Sequence, residues 1–92
     1  PEDPHAWLGY AASADQLGRF NNADIAYKKL AKMIPGRPEY YNNLGYSHLL
    51  RGDLRQARNL FLKAYEIDPS NETTANNLEL LRNSDKFAKR AS

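Results

Sequence analysis

Two histidines are the first residues of this sequence that could act as an acid, a base or a metal ligand. His5 and His48 are its only histidines, and it contains no cysteine. Neither histidine belongs to an HExxH motif, and no phosphate-binding loop or GxSxG motif is present. We therefore interpret His5 as a surface residue and His48 as a packed side chain. We expect no catalysis, no metal site and no cofactor.

The acidic residues show no spacing that would bring two carboxylates to one reacting atom. They lie at predicted helix ends and on outward faces, where helix capping and solubility account for them. These residues are Glu2, Asp3, Asp15, Asp24, Asp53, Glu66 and Asp68. The triplet Asn71, Glu72, Thr73 matches a glycosylation sequon, but it lies where a helix is expected to begin. We interpret it as structural.

Length and composition limit the remaining possibilities. The chain has 92 residues, enough for one domain, and it is 41% hydrophobic and 26% charged, as soluble globular proteins are. No apolar run approaches the roughly 18 residues of a membrane helix, so we expect no membrane insertion by this segment. The net charge of +2 is spread among interspersed acids and bases, which argues against nucleic-acid binding.

The compartment is not readable from these residues. The chain begins Pro1, Glu2, Asp3 without a methionine, so we expect a fragment of a longer protein. The absence of cysteine excludes disulfides, but it does not separate the cytosol from an oxidising compartment.

The strongest pattern is an internal repeat with a period of 34 residues. Between residues 4–37 and 38–71 six pairs are identical: Pro4 with Pro38, Ser13 with Ser47, Gly18 with Gly52, Ala23 with Ala57, Lys29 with Lys63, and Pro35 with Pro69. A partial third copy follows, since Asn42, Asn43 and Leu44 recur as Asn76, Asn77 and Leu78. We predict a single domain over 1–92, with repeats at 4–37 and 38–71 and an incomplete unit from 72.

Each full repeat carries the start and stop signals of two antiparallel helices. In the first, Asp3 can cap a helix that Gly18 ends, since glycine adopts the left-handed conformation readily. Asn21 or Asn22 is the expected cap of the second helix, which Pro35 and Gly36 stop. The second repeat uses the same order of signals, at Pro38, Gly52, Asp53 and Pro69.

The third unit departs from the first two. Glu79 and Arg82 stand where the second repeat has Gly45 and His48, so no partner helix can pack there and that face should meet water. Leu78 and Leu81 can still cover the end of the second hairpin. We predict a capping helix over 72–84, an interruption at Asn83, Ser84 and Asp85, and a tail over 85–92.

This 34-residue pattern resembles the tetratricopeptide repeat. The residues that carry the resemblance are Trp7, Tyr10, Ala11, Ala14, Ala23, Tyr27 and Pro35 in the first unit, and Tyr41, Leu44, Gly45, His48, Ala57, Phe61 and Pro69 in the second. The resemblance implies an all-α, right-handed superhelix of helix hairpins whose first helices line a concave groove. It also implies a module that binds proteins or peptides and does not catalyse.

Carrying the family's groove positions onto this chain gives the candidate binding residues. They are His5, Leu8, Asn42, Asn43, Tyr46, Leu49, Asn76, Asn77 and Leu80, with Ala12, Asp15, Leu50 and Asn83 at further positions. Asparagines on adjacent units would offer amides to a peptide backbone, and Tyr46, Leu49 and Leu80 would form an apolar floor. Alternatively, the asparagines face water and Leu49 or Leu80 packs against neighbouring helices.

One family subtype is not expected. Members that clamp a terminal carboxylate use lysine or arginine on these helices, whereas this chain has Leu8, Ala12, Thr73 and Asn77 there, and only Asn43 fits. A second hypothesis is self-association, as a homodimer through the groove or the ends of the stack.

A narrower resemblance concerns the run from Tyr41 to Ser47 with Arg51, Gly52 and Asp53. It is similar to bacterial repeat proteins of Tad (Flp) pilus assembly, which are lipid-anchored scaffolds. If this resemblance holds, the protein is periplasmic or associated with the outer membrane. Otherwise we expect it in the cytoplasm.

Overall fold

Five helices follow one another along the chain in a computed structural model. The model describes the backbone of residues 3–91 and the side chains of residues 3–84. The helices are α1 (Pro4–Gln16), α2 (Phe20–Met33), α3 (Pro38–Leu50), α4 (Leu54–Ile67) and α5 (Glu72–Ala91). The described backbone contains no strand. The first four helices form two hairpins whose bounds differ by the predicted 34 residues, and the all-α repeat architecture is confirmed.

Capping residues and left-handed glycines set most of these bounds. Asp3 Oδ1 accepts a hydrogen bond of 3.0 Å from the His5 amide at the start of α1. Asp53 accepts one of 3.3 Å from the Gln56 amide at the start of α4. The hairpin turns use Gly18 and Gly52 at φ values of 75° and 84°, which residues with a Cβ rarely adopt. These predicted signals are confirmed.

The predicted start of α2 is wrong. The helix begins at Phe20 with Arg19 as its N-cap, and no side chain caps it. The reason is a hydrogen bond of 2.8 Å from the Arg19 amide to the Ala14 carbonyl oxygen. This bond closes the turn tightly, so the chain enters α2 before it reaches Asn21 and Asn22.

Small residues let the two helices of each hairpin approach closely. Ala11 and Ala23 are fully buried in the first hairpin, and Ala57 is fully buried in the second. At Gly45 an added Cβ would lie 2.5 Å from Cε1 of Phe61, closer than any real contact. The Phe61 ring occupies this space and is itself fully buried. Position 45 therefore requires glycine.

Helix α5 covers the end of the second hairpin. Leu81 is buried against Ala57 and Phe61, and Leu78 packs beside it. Glu79 and Arg82 are exposed, as expected for a face that lacks a partner helix. At the start of the helix, Asn71 Oδ1 accepts from the Thr74 amide at 3.1 Å, which gives the sequon asparagine a capping role.

The predicted interruption after the capping helix is wrong. The backbone stays helical from Glu72 to Ala91, straight through positions 83–85. Ser84 fits into the helix because its hydroxyl donates to the Leu80 carbonyl oxygen, one turn earlier, at 2.9 Å. The tail predicted over 85–92 is helical in its backbone as far as Ala91, and its side chains and residue 92 lie outside the described part.

Candidate binding surface

Side chains of α3 and α5 meet around a small concavity of about 130 Å³. We call it the asparagine site, and its lining residues are Asn42, Asn43, Tyr46, Thr73 and Asn77. Helices α3 and α5 are the first helices of adjacent units, so the repeat places these residues at successive levels. Four of the nine predicted binding residues come together here, while Thr73 was not among those nine.

Asn42 has a structural role, and the expectation that it lies open in the groove is wrong. The residue is only 4% exposed. Its Nδ2 donates to Thr74 Oγ1 at 2.9 Å, and its Oδ1 accepts from Asn77 Nδ2 at 3.3 Å. Asn42 lies three residues before the buried Gly45, on the same stripe of α3, so its side chain points between the helices.

Asn43 and Asn77 are half-buried and keep part of their hydrogen-bonding capacity. Asn43 Nδ2 donates to the Glu39 carbonyl oxygen at 2.9 Å, and Asn77 Nδ2 donates to Asn42. Each amide nitrogen has a second hydrogen. Within the described part of the chain, neither Oδ1 atom accepts a hydrogen bond. The pair can therefore both donate to and accept from a ligand.

Only part of the expected set of asparagine amides on adjacent units is available to a ligand. Asn42 turns inward, and Asn76 is exposed without lining the site. What remains in the lining with free hydrogen-bonding capacity is Asn43 on α3 and Asn77 on α5, and Asn77 bonds to Asn42. The expectation for the asparagines treated neighbours on a helix as sharing a face, whereas successive residues are about 100° apart around the axis.

The apolar candidates divide between core and surface. Tyr46 lines the site and also packs against the second core cluster. Leu49 packs against the same cluster, so the alternative that it packs against neighbouring helices is correct for this residue. Leu80 is 41% exposed on α5 and does not line the site.

The first unit contributes no lining residue to the asparagine site. His5 is exposed, and Leu8 packs against the core cluster that contains Ala11 and Leu30. The other histidine, His48, is a packed side chain whose Nδ1 lies 3.3 Å from Asp53 Oδ2. In the described residues no three acidic or histidine side chains converge as metal ligands would.

A buried polar network joins the two hairpins, and the sequence interpretation missed it. Asp15, expected on an open face, is only 4% exposed. It accepts from the Tyr27 hydroxyl at 2.7 Å and from the Ser47 hydroxyl at 2.6 Å. Arg51 then donates to Ser47 Oγ at 2.8 Å and to Asp24 Oδ1 at 2.6 Å. Asp15 and Asp24 thus lie at opposite ends of one chain of hydrogen bonds that runs through Ser47 and Arg51.

The network connects to the asparagine site through Tyr27. The Tyr27 hydroxyl also lies 3.0 Å from the carbonyl oxygen of Asn43. Burial, followed by the hydrogen bond to Asp15, raises the pKa of Tyr27 well above its usual value, so this phenol stays protonated. A sequence signal was available, since Asp15 lies four residues after Ala11 on the same buried stripe of α1.

The repeat geometry agrees with comparison to known families. Tetratricopeptide repeat models match residues 4–37 and 38–71, a continuous stretch from Pro4 to Asn71. The chain belongs to the tetratricopeptide repeat family. The matched ranges coincide with the two helix hairpins and the turns that follow them. Proteins built from this repeat serve as protein-protein interaction modules and are in general not enzymes.

Two curated relatives show the same repeat. Small glutamine-rich tetratricopeptide repeat-containing protein 2 of Mycosarcoma maydis is 31% identical over 72 residues, which is 78% of this chain and 20% of that protein. Heat shock protein STI1 of Saccharomyces cerevisiae is 33% identical over 69 residues, 75% of this chain and 12% of that protein. The tetratricopeptide chain thus spans a small part of each of these eukaryotic relatives.

In the described part of the tetratricopeptide chain, no helix is both long and apolar enough to cross a bilayer.

Proposed function

We propose that this tetratricopeptide protein is an interaction module that binds an extended segment of a partner protein at the asparagine site. The observation that supports this most directly is that Asn43 on α3 and Asn77 on α5 line one concavity. Each amide can donate to a carbonyl and accept from an N–H, which are the two groups that an extended main chain presents. Tyr46 beside them offers an apolar contact for a ligand side chain.

The chemistry of the lining favours a main chain over a charged terminus. All five lining residues are uncharged. A free carboxylate is held best by arginine or lysine, and no such residue lines the asparagine site. We therefore propose an internal segment of the partner as the ligand. The protein is proposed to act by binding alone, without catalysis.

The proposal is tested with peptides selected from a random display library against the wild-type protein. Their affinities are then measured by fluorescence anisotropy for wild type and for the double variant Asn43→Ala, Asn77→Ala. Loss of the two amides should weaken binding about tenfold or more, at about 1 kcal/mol for each hydrogen bond. A matched double variant, Asn22→Ala with Asn59→Ala, removes two exposed asparagines from the second helices and should bind as wild type does.

The outcome that removes the proposal is equal affinity in both double variants. Far-UV circular dichroism of each variant shows whether the helices are intact, since Asn77 also bonds to Asn42. If the site variant were to lose helicity, Asn43→Ala alone provides the test, because Asn43 bonds only within α3 through its side chain.

Self-association is a second candidate, and an exposed apolar surface on the first hairpin favours it. Tyr10 and Ile25 are 49% and 57% exposed around a concavity of about 410 Å³ that Ala6 and Trp7 complete. In the second unit the residue equivalent to Tyr10 is Leu44, which packs against the first hairpin. Sedimentation equilibrium should show a dimer that Tyr10→Asp dissociates, and a wild-type monomer at every concentration would exclude this candidate.

The bacterial pilus-assembly context stays a prediction of the sequence resemblance. The two relatives described above are eukaryotic, and neither is named for a pilus. The periplasmic, outer-membrane and cytoplasmic locations stay predictions as well.

A further inference from the structure

A larger concavity than the asparagine site lies away from it, between α2 and α3. It has a volume of about 490 Å³ and shares no lining residue with the asparagine site. We call it the lysine groove. Its α2 wall carries Lys28 and Lys32, together with Tyr27 and Ala31, and its α3 wall carries Tyr40 and Leu44.

The α2 wall is positively charged. Lys28 and Lys32 are exposed, and within the described part of the chain neither forms an ion pair. The one acidic residue in the lining is Asp24, and its carboxylate is held by Arg51 at 2.6 and 3.1 Å. A second concavity of about 250 Å³ extends the same wall past Lys29 and Met33 and shares both lysines. The charge of Asp24 is therefore neutralised, and that of the lysines is not.

The α3 wall is apolar. Tyr40 and Leu44 are half-buried and pack against the first core cluster, which fixes their positions. Burial raises the pKa of the Tyr40 hydroxyl, as expected for a ring that is partly withdrawn from water. The groove thus has a cationic wall facing an apolar wall.

We propose that the lysine groove binds an extended peptide segment in which acidic and apolar residues alternate. Lys28 and Lys32 are one helical turn apart, about 6 Å along the axis of α2. Side chains two residues apart in an extended chain are separated by about 6.6 Å and point to the same side. Two carboxylates in such a segment can therefore each meet one lysine. The apolar residues between them point the opposite way, toward Tyr40 and Leu44.

The positive charge of the α2 wall favours this acidic ligand over an uncharged one. The apolar α3 wall favours a ligand whose acidic and apolar residues alternate over a general polyanion. In an amphipathic helix, side chains on one face recur about every 3.6 residues, whereas in an extended segment they recur every two residues. A helix would therefore not present acidic and apolar residues alternately to the two walls. This inference concerns a surface other than the asparagine site, so it does not depend on the proposed function. A partner that carries both kinds of segment would contact two sides of α3.

The test uses a fluorescein-labelled peptide that alternates glutamate with leucine, measured by anisotropy at low salt. Wild type should bind it, and Lys28→Gln with Lys32→Gln should weaken binding roughly fivefold or more, as expected for two partly exposed ion pairs. The matched control, Arg55→Gln with Arg82→Gln, removes two exposed cations elsewhere and should change affinity less than about twofold. Asn43→Ala with Asn77→Ala should also bind as wild type does, which separates this surface from the asparagine site.

Reversing the charge of the two lysines gives a sharper test. Lys28→Glu with Lys32→Glu should reject the glutamate peptide and accept one that alternates lysine with leucine. A peptide of identical composition with its glutamates grouped at one end should bind wild type more weakly than the alternating peptide. Equal binding of the two peptides, equal affinity of the lysine variant and its control, or no binding by wild type would each overturn the proposal.

Discussion

The hydroxyl of Ser47, in the second repeat, donates a hydrogen bond of 2.6 Å to the buried carboxylate of Asp15 in the first. This bond joins two hairpins whose shared apolar contact is otherwise made through Tyr40 and Leu44. Because a buried carboxylate without partners is costly, the bond favours one orientation of α3 relative to α1. The relative orientation of the repeats is therefore set by polar contacts as well as by apolar packing.

Ser47→Ala should lower the free energy of unfolding by about 1 to 3 kcal/mol, because it removes one partner of Asp15 and one of Arg51. Ser13 occupies the equivalent position in the first repeat and is exposed, so Ser13→Ala should change stability by less than about 0.5 kcal/mol. Urea unfolding followed by circular dichroism measures both. Similar losses at the two serines would show that the network does not hold the repeats together.

Gly45→Ala and Gly9→Ala should change stability in opposite directions. At Gly45 the new Cβ would lie 2.5 Å from the Phe61 ring, and the overpacking should cost about 1 to 3 kcal/mol. At Gly9, also in a helix, nothing lies within 4 Å of the new Cβ, so alanine should stabilise by about 0.5 to 1 kcal/mol. Thermal unfolding of the two variants gives both signs, and destabilisation at Gly9 would contradict the packing described here.

Asn42→Ala should destabilise the protein by about 1 to 2 kcal/mol, since Thr74 and Asn77 would each lose a partner between α3 and α5. Asn76 is exposed one residue before Asn77, and Asn76→Ala serves as the control with little expected effect. Chemical unfolding curves distinguish the two. If Asn42→Ala were as stable as the control, Asn42 would not fasten α5 to the second hairpin.

Stability should fall at high pH because of Tyr27. Burial and the hydrogen bond to Asp15 raise the pKa of its hydroxyl above the value of 10.0 in the unfolded chain. The folded state therefore favours the protonated phenol, and this contribution is complete below pH 10 and is lost progressively as the pH rises above it. Unfolding free energies at about pH 9 and about pH 11 should differ more in wild type than in Tyr27→Phe.

The control for this pH dependence is Tyr65→Phe, because Tyr65 is 48% exposed on α4. It should keep the wild-type loss of stability between the two pH values. An unchanged pH dependence in Tyr27→Phe would show that the Tyr27 hydroxyl is not the group responsible.

The fold was predictable from the sequence because its signals are local. Gly18 and Gly52 end helices through their own backbone conformation, and Asp3 and Asp53 cap through amides two or three residues away. The helix-ending glycine recurs 34 residues later, in the second repeat. The start of α2 was mispredicted because a hydrogen bond back to Ala14, outside that helix, determines it.

The binding surface was less predictable. The 34-residue offset shows which positions of the two repeats are equivalent, but it does not show in which direction each side chain points. Asn42 and Asn43 are neighbours of one residue type, yet the first is buried and the second is only half-buried. Asp15 has no acidic counterpart in the second repeat, where Leu49 stands at its position. Its partners come from two other helices, and no spacing within the sequence indicates them.

The central claim, that a partner segment binds between Asn43 and Asn77, is tested most directly by nuclear magnetic resonance. A peptide selected from the display library would be titrated into the ¹⁵N-labelled protein, and the side-chain amide signals of all asparagines would be followed. We predict the largest shifts at Asn43 and Asn77, with Asn22 and Asn59 unchanged. Saturable binding in which the Asn43 and Asn77 signals do not move would contradict the account.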